Sequence, residues 1–217
     1  MNQPFIRNHQ YNRIKKAVGQ LRNAIQTVSD PKVIRAVREQ TAIAVSEAVP
    51  DAAEEQKRLL AGAADLATAE DCQRFADSLE PYVADFGALT DEQLRKLFPK
   101  IKKLKLPDRS GLDSRFVTYL GWTDIASNRM FLVYRLDGRY VGVEGTVTPA
   151  NKKNTCFLCN RHEEVALFSA ISKKRPAGAS PDYYQSFGNY LCLNSETCNR
   201  GITDVSALEA FLRNLIG

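Results

Sequence analysis

The sequence predicts an α+β protein in which an N-terminal antiparallel helical bundle precedes an α/β domain. Three observations carry this prediction. Apolar residues recur every three or four positions over roughly the first 85 residues. Further along, aromatic and β-branched runs alternate with polar residues and are separated by turn signals. Near the C-terminus, two close pairs of cysteines flank a predicted pair of strands.

Residues 1–87 are predicted to form the helical bundle. Ile14, Val18 and Leu21 begin an apolar stripe that is typical of one face of a helix over residues 12–28. Start signals and spacing predict three further helices. The first runs from Asp30 and Pro31 to Pro50, and the second lies around Leu59, Leu60, Ala63 and Leu66. Thr68 and Asp71 cap the third, which buries Cys72, Phe75 and Leu79.

Residues 88–217 form the predicted α/β domain. Its first elements are a short helix that Thr90 caps and Pro99 ends, then "KKLKLP", whose alternation predicts a strand. Six basic residues without an acidic neighbour lie between Arg95 and Lys105. The favoured interpretation is a solvated helix flank and an edge strand protected by lysines, and the alternative is a phosphate-binding patch.

A β meander is predicted over residues 115–149. The Asp-Gly pair in "LDGR" lies between two alternating segments and predicts a hairpin turn. Trp122 lies in "GWTDIASNR", which we interpret as a packed turn and not as a binding site.

Two cysteine pairs predict a metal site. Cys156 and Cys159 lie in "CFLC", and Cys192 and Cys198 lie in "CLNSETC". Four thiolates at this spacing can close a tetrahedron around zinc, with each sulfur about 2.3 Å from the ion. Each pair is then a knuckle, a short turn that brings two sulfurs together. The sequence therefore predicts one structural Zn²⁺ ion held by these four cysteines.

The order of elements around the cysteines is knuckle, hairpin, knuckle, helix, which is typical of a treble-clef zinc finger. This subdomain is predicted at about residues 152–217, so that the α/β domain ends in a four-cysteine treble-clef zinc finger. The final helix is expected to begin near Asp204 or Ser206 and to carry one apolar face, formed by Val205, Leu208, Leu212 and Leu215, with Phe211 nearby.

Other uses of the cysteines fit less well. A thioredoxin-like CxxC motif would need a βαβ context and would leave the second pair unexplained. A catalytic zinc needs an open coordination position, which a fourth cysteine closes. His162 could replace one cysteine, but His9 and His162 are more simply surface histidines. Cys72 lies on an apolar helix face and is expected to be an unreactive buried residue.

Composition bounds the remaining possibilities. The sequence has no run of roughly 18 to 20 apolar residues and no secretory signal, so neither a membrane span nor export is expected. Five cysteines without an export signal favour a reducing compartment, the cytoplasm. Residues 1–90 carry 11 basic and 12 acidic residues against 19 and 13 in residues 91–217, which places the net positive charge, +6 against −1, in the second part.

The sequence resembles the FusB-type family of elongation factor G-binding proteins nearly end to end. The similarity lies in "HQYNRIKKAV", "FPKIKKLKLP", "GWTDIASNRMFLVY", "CFLCN" and "YLCLNSETCN" with the "TD" helix that follows. The five residues between Cys192 and Cys198 are the most specific feature, because zinc knuckles favour two to four. The resemblance implies a non-enzymatic protein that binds elongation factor G (EF-G). In resistance members it implies release of EF-G that fusidic acid has trapped on the ribosome.

The resemblance also implies contact residues. Tyr190 and Phe211 match aromatic positions that the family uses to bind EF-G. From the residues themselves, Phe157 and Phe187 could join them around one metal-braced surface, since aromatic residues are common interface anchors. Residues 173–175 add positive charge that would favour an acidic partner. Each aromatic ring could instead pack into the small core.

Two departures from the family pattern concern resistance. Thr155 replaces an aromatic residue found in resistance members, and Phe187 replaces an expected lysine. A chromosomal relative with a housekeeping or weak resistance role fits these departures. The alternative function is a zinc-finger protein that binds RNA or the ribosome through residues 95–105. No poised carboxylate pair, nucleophile elbow or phosphate-binding glycine loop indicates an enzyme. A monomer without membrane contact is expected.

Overall fold

The computed structural model describes residues 3–180 and 182–216. They form two compact units, which divide between Asp85 and Phe86. The first unit is helical and the second is built on an antiparallel sheet, which confirms the predicted α+β class. The sequence predicts this boundary after residue 87, two residues C-terminal to the division in the structure. Among the described residues, no helix is long and apolar enough to cross a membrane.

Within its described residues, the first unit contains four α-helices. They are α1 (Asn8–Thr27), α2 (Pro31–Ala48), α3 (Glu54–Ala61) and α4 (Ala69–Ser78). The start signals act as the sequence predicts: the Asp30 carboxylate accepts a hydrogen bond from the Lys32 amide at 2.8 Å, and the Thr68 hydroxyl accepts one from the Asp71 amide at 3.1 Å. The third helix is shorter than predicted, because residues 62–65 tighten into a 3₁₀ turn.

The second unit is a five-stranded antiparallel sheet with helices around it. Its strands are β1 (Leu120–Asp124), β2 (Arg129–Leu136), β3 (Arg139–Pro149), β6 (Val165–Ile171) and β7 (Ser186–Cys192), in the spatial order β1-β2-β3-β6-β7; the short pair β4 (Asn154–Thr155) and β5 (His162–Glu163) forms a separate ladder. The helices are α5 (Asp91–Leu97), α6 (Ser195–Asn199) and α7 (Ser206–Ile216). Asp137 and Gly138 both have positive φ, as the predicted Asp-Gly hairpin turn requires.

The two faces of the sheet are covered differently. Side chains alternate between faces along each strand. One face packs against α7 and the cysteine knuckles, in a core that includes Leu132, Phe168, Leu191 and Leu212. The other face is covered near β1 and β2 by a second cluster that includes Leu94, Phe98, Leu104, Phe131 and Val133. Toward β6 and β7 this second face carries exposed side chains.

The structure corrects two predictions in this unit. "KKLKLP" is an irregular segment and not a strand. Its carbonyl groups bind side chains in place of a neighbouring strand: Leu104 accepts from the Arg95 guanidinium at 3.0 Å, and Lys105 accepts from the Trp122 indole at 2.9 Å. Trp122 itself lies in β1 and not in a turn, and its ring stacks on Phe131 with centroids 5.1 Å apart.

Candidate metal centre and contact surface

The four cysteines of the two predicted knuckles meet at one point. Their sulfur atoms all lie within 4.8 Å of one another, and all four side chains are buried. The Cys156 and Cys198 sulfurs are 3.8 Å apart, and those of Cys159 and Cys192 are 3.6 Å apart. A disulfide would bring two sulfurs to about 2 Å. A tetrahedron of sulfurs around zinc has edges of about 3.8 Å, so these cysteines fit a zinc ion and not disulfides.

Local backbone structure holds each knuckle. In the first, the Leu158 amide donates to the Cys156 sulfur at 3.4 Å, and Asn160 takes a left-handed conformation with φ of 54° that closes the turn. In the second, Asn194 caps α6 and the Cys198 carbonyl accepts from the Gly201 amide at 2.8 Å. A Cβ on Gly201 would lie 3.1 Å from the Cys159 Cβ, so a glycine here lets the two knuckles approach.

Electrostatics also favour a cation at this point. The pKa of the Cys156 thiol is held well below its usual value by hydrogen bonds from Cys159, Cys192 and Cys198. The pKa of the Cys198 thiol is raised well above its usual value, chiefly by its hydrogen bond with Cys156 and then by those with the other two cysteines. Four buried thiolates cannot persist together without a positive charge between them, and a divalent cation removes this conflict.

A second layer of buried polar groups ties the centre to the start of β1. The side-chain oxygen of Asn199, Oδ1, accepts from the backbone amides of Thr118 at 2.9 Å and Tyr119 at 3.1 Å, and its side-chain nitrogen, Nδ2, donates to the Tyr119 carbonyl at 2.9 Å. The Tyr119 ring is fully buried, which raises the pKa of its hydroxyl well above the usual value, and that hydroxyl also hydrogen-bonds Cys198. Such outer contacts orient metal ligands.

Replacing Asn199 with alanine should lower the free energy of unfolding of the second unit by about 2–4 kcal/mol, because two amides and one carbonyl would lose buried partners. Urea denaturation followed by tryptophan fluorescence would measure this, since Trp122 lies in β1. Ser195→Ala is the control: it removes one bond, from the half-buried Ser195 hydroxyl to the Gly121 carbonyl at 2.8 Å, and should cost only about 1 kcal/mol. Equal losses for both variants would contradict the assigned role of Asn199.

The structure separates the four aromatic residues that the sequence groups as contacts. Tyr190 is 41% exposed, on the open face of β7. Phe187 lies on the opposite face and packs, half-buried, against the main core. Phe211 is only 4% exposed, with its ring centroid 6.0 Å from those of Phe157 and Phe168. Phe157 is half-buried beside it.

Sequence reasoning missed three residues of this centre: Tyr119, Asn199 and Gly201. Asn199 and Gly201 lie within three positions of Cys198, and a polar or glycine residue beside a knuckle is too common to predict a role. Tyr119 is 79 positions away, and only the path of β1 brings it to the sulfurs. Outside this centre, Cys72 is buried as predicted, and burial raises the pKa of its thiol. His162 is exposed and does not join the sulfur cluster.

Comparisons with known proteins agree with this architecture. A family model described as "Elongation factor G-binding protein, N-terminal" matches residues 5–87, and one described as "FBP C-terminal treble-clef zinc-finger" matches residues 99–209. The solved structure of the fusidic acid resistance protein FusC is similar, with 26% sequence identity and a TM-score of 0.78 over 99% of this chain and 98% of that chain. No curated protein sequence matches the chain.

The fold and the cysteine cluster define the class: a protein with a helical N-terminal unit and a C-terminal treble-clef zinc finger that carries one structural zinc ion. The chain belongs to the FusB-type family of elongation factor G-binding proteins. This is not a known enzyme family.

Proposed function

We propose that this protein binds EF-G through its second unit and promotes release of EF-G that fusidic acid holds on the ribosome. One observation carries the proposal: a zinc-braced sheet presents uncovered apolar side chains on one face. Membership of the EF-G-binding family indicates EF-G as the partner. The four cysteines are the proposed zinc ligands, and the ion keeps the surface rigid, which lowers the entropy cost of binding.

The exposed apolar side chains lie on paired strands. Tyr190 of β7 lies opposite Leu167 of β6, so both project from the same face. Ile171, on the same face of β6, is 65% exposed, and Tyr184, which precedes β7, is 72% exposed. Large exposed apolar side chains that cluster in this way are typical of interaction sites. Tyr190 is therefore the proposed central contact.

A groove of about 740 Å³ continues this face. Its lining includes the apolar side chains of Leu97 and Ile171 and the lysines Lys100 and Lys173. Both lysines are exposed, and neither forms an ion pair among the residues that the structure describes. Lysines beside apolar side chains favour a partner segment that carries acidic residues beside an apolar one.

The buried aromatic residues support this surface from below. Phe211 packs against Phe157, and the Phe157 amide donates to the Tyr190 carbonyl at 2.8 Å. A change at Phe211 can thus reach Tyr190 through the first knuckle. In this conformation Phe211 has little surface to offer a partner, so we propose that it positions Phe157 and Tyr190. Phe157 and Phe187 are half-buried, and the proposal places them at the margin of the contact with EF-G.

Tyr190→Ala should weaken EF-G binding by about 2 kcal/mol or more, a loss of roughly thirtyfold, because it removes a large central anchor. Calorimetric titration of purified EF-G would measure the affinity. Ile125→Ala is a control, since Ile125 is 84% exposed beside β1, at the opposite edge of the sheet. Ile125→Ala should bind like the wild type. If Tyr190→Ala binds equally well, Tyr190 is not the central contact.

Release is a separate step from binding. Ribosomes stalled with EF-G and fusidic acid should lose EF-G faster when this protein is added, as followed by the release of labelled EF-G. The two positions that depart from the pattern of resistance members concern this release step. Thr155 is exposed in β4, and Phe187 fills a half-buried position that a lysine would not fill in the same way. Normal binding without faster release would favour a housekeeping role.

One observation favours RNA binding as a second candidate function. Within the basic segment, Lys100, Lys102 and Lys103 are exposed and form no ion pair among the described residues. The other basic side chains are engaged: Arg95 with Leu104, Lys96 with Glu92, and Lys105 with Asp124. Binding to ribosomal RNA should weaken steeply as salt rises, because counterions are released. An apolar EF-G interface should keep most of its affinity under the same salt titration.

A further inference from the structure

The two edge strands of the five-stranded sheet, β1 and β7, are covered to different extents. The β1 edge is covered: α6 lies beside it, the Ser195 hydroxyl binds the Gly121 carbonyl, and Asn199 binds the backbone just before β1. Among the residues that the structure describes, none covers the β7 edge in this way along its first half. Proteins usually protect an open edge with charged residues, proline or a bulge. β7 reads "SFGNYLC", without a charge or a proline.

The direction of each backbone group along β7 follows from its hydrogen bonds. The Ser172 amide donates to the Gln185 carbonyl at 2.7 Å, and the Leu193 amide donates to the Glu164 carbonyl at 3.0 Å. Odd-numbered residues from Gln185 to Leu193 therefore direct their amide and carbonyl groups toward β6, and even-numbered residues direct theirs outward. The bond from the Phe157 amide to the outward Tyr190 carbonyl agrees with this alternation.

Two exposed residues of β7 have both outward backbone groups without a backbone partner among the residues that the structure describes. They are Ser186 and Gly188. The first knuckle reaches only Tyr190, at the far end of the strand. Because Gly188 has no side chain, a neighbouring backbone can approach there, and a large side chain from it would find room between Ser186 and Tyr190.

We propose that the outer edge of β7 pairs with an extended segment of EF-G, which adds a sixth strand to the sheet. This inference rests on the proposed function and specifies how the partner is recognised. Backbone groups of Ser186 and Gly188 supply hydrogen bonds, and side chains on alternate positions of the added strand contact Tyr190. Ser172 pairs with Gln185 beside the start of β7, and the next two residues, Lys173 and Lys174, are exposed. The added EF-G segment therefore carries an acidic residue at the end that lies near these lysines.

Hydrogen exchange measured residue by residue tests the pairing directly. In the free protein, the amides of Phe187, Asn189 and Leu191 should exchange slowly and those of Ser186 and Gly188 rapidly. With saturating EF-G, the amides of Ser186 and Gly188 should slow at least tenfold. Unchanged exchange at both amides, in a complex that calorimetry shows to have formed, overturns the strand addition and leaves EF-G binding intact. No complex at all overturns the proposed function instead.

A matched pair of variants tests the same edge through affinity. Ser186→Pro removes the outward amide, and proline is tolerated at the start of an edge strand whose amide faces solvent. Ser186→Ala keeps that amide. We expect Ser186→Pro to bind EF-G about tenfold more weakly with an unchanged melting temperature, and Ser186→Ala to bind like the wild type. Equal affinities for both variants overturn the proposal, as does protection of Ser186 and Gly188 that rises with this protein's own concentration, because a second copy would then occupy the edge.

Discussion

Cys198→Ser is expected to abolish zinc binding and to unfold the zinc finger while the helical unit stays folded. The Cys198 side chain is completely buried among the other three cysteines, so a serine there leaves three thiolates around an incomplete site. Structural zinc contributes folding free energy directly, and a small subdomain of this kind loses its fold with the ion. Elemental analysis should fall from one zinc per chain to near zero, and circular dichroism should show loss of the finger.

Cys72→Ala is the matched control for this variant. Cys72 is also buried, but it lies in α4 of the helical unit and is not a member of the sulfur cluster. Its replacement should leave one zinc per chain and should destabilise only the helical unit. A Cys198→Ser protein that keeps one tightly bound zinc and a folded finger would contradict the four-cysteine assignment.

Phe211→Ala is expected to lower the free energy of unfolding of the second unit by about 3–5 kcal/mol, because it leaves a cavity between Phe157 and Phe168. EF-G affinity should fall as well, since the first knuckle and Tyr190 lose their support. Urea denaturation with tryptophan fluorescence would measure the stability, and calorimetry the affinity.

Phe211→Leu separates support from direct contact. Leucine fills most of the cavity, so it should restore much of the stability and most of the affinity. If Phe211→Leu is stable but binds EF-G as poorly as Phe211→Ala, the Phe211 ring contacts the partner itself, as the family resemblance implies. A Phe211→Ala protein as stable as the wild type would contradict its place in the core.

The zinc site could be predicted from sequence because its chemistry is local. Two short turns each bring a pair of sulfurs together, and the requirement for four ligands then joins Cys156 and Cys159 to Cys192 and Cys198. Helix starts at Asp30 and Thr68 were predictable for a similar reason, since capping depends on a few adjacent residues. The zinc and the fold class are confirmed.

The remaining features depend on contacts between distant parts of the chain. "KKLKLP" alternates like a strand, but its carbonyls are taken by Arg95 and Trp122, which local patterns do not show. Phe211 and Tyr190 are both aromatic, yet only the packing of α7 on the sheet decides that one is buried and the other exposed. The role of Asn199 likewise depends on where β1 begins. The assignment of Phe211 and Tyr190 as EF-G contacts stays a prediction.

Calorimetric titration of purified EF-G into the zinc-loaded protein tests the central claim most directly. We predict saturable binding by the wild type, with affinity lost when a chelator removes the zinc and reduced in Tyr190→Ala. Binding should also persist at high salt, as expected for a surface with an apolar centre. Absence of any binding heat and of any co-elution, with a protein shown to be folded and to contain one zinc, would contradict the account.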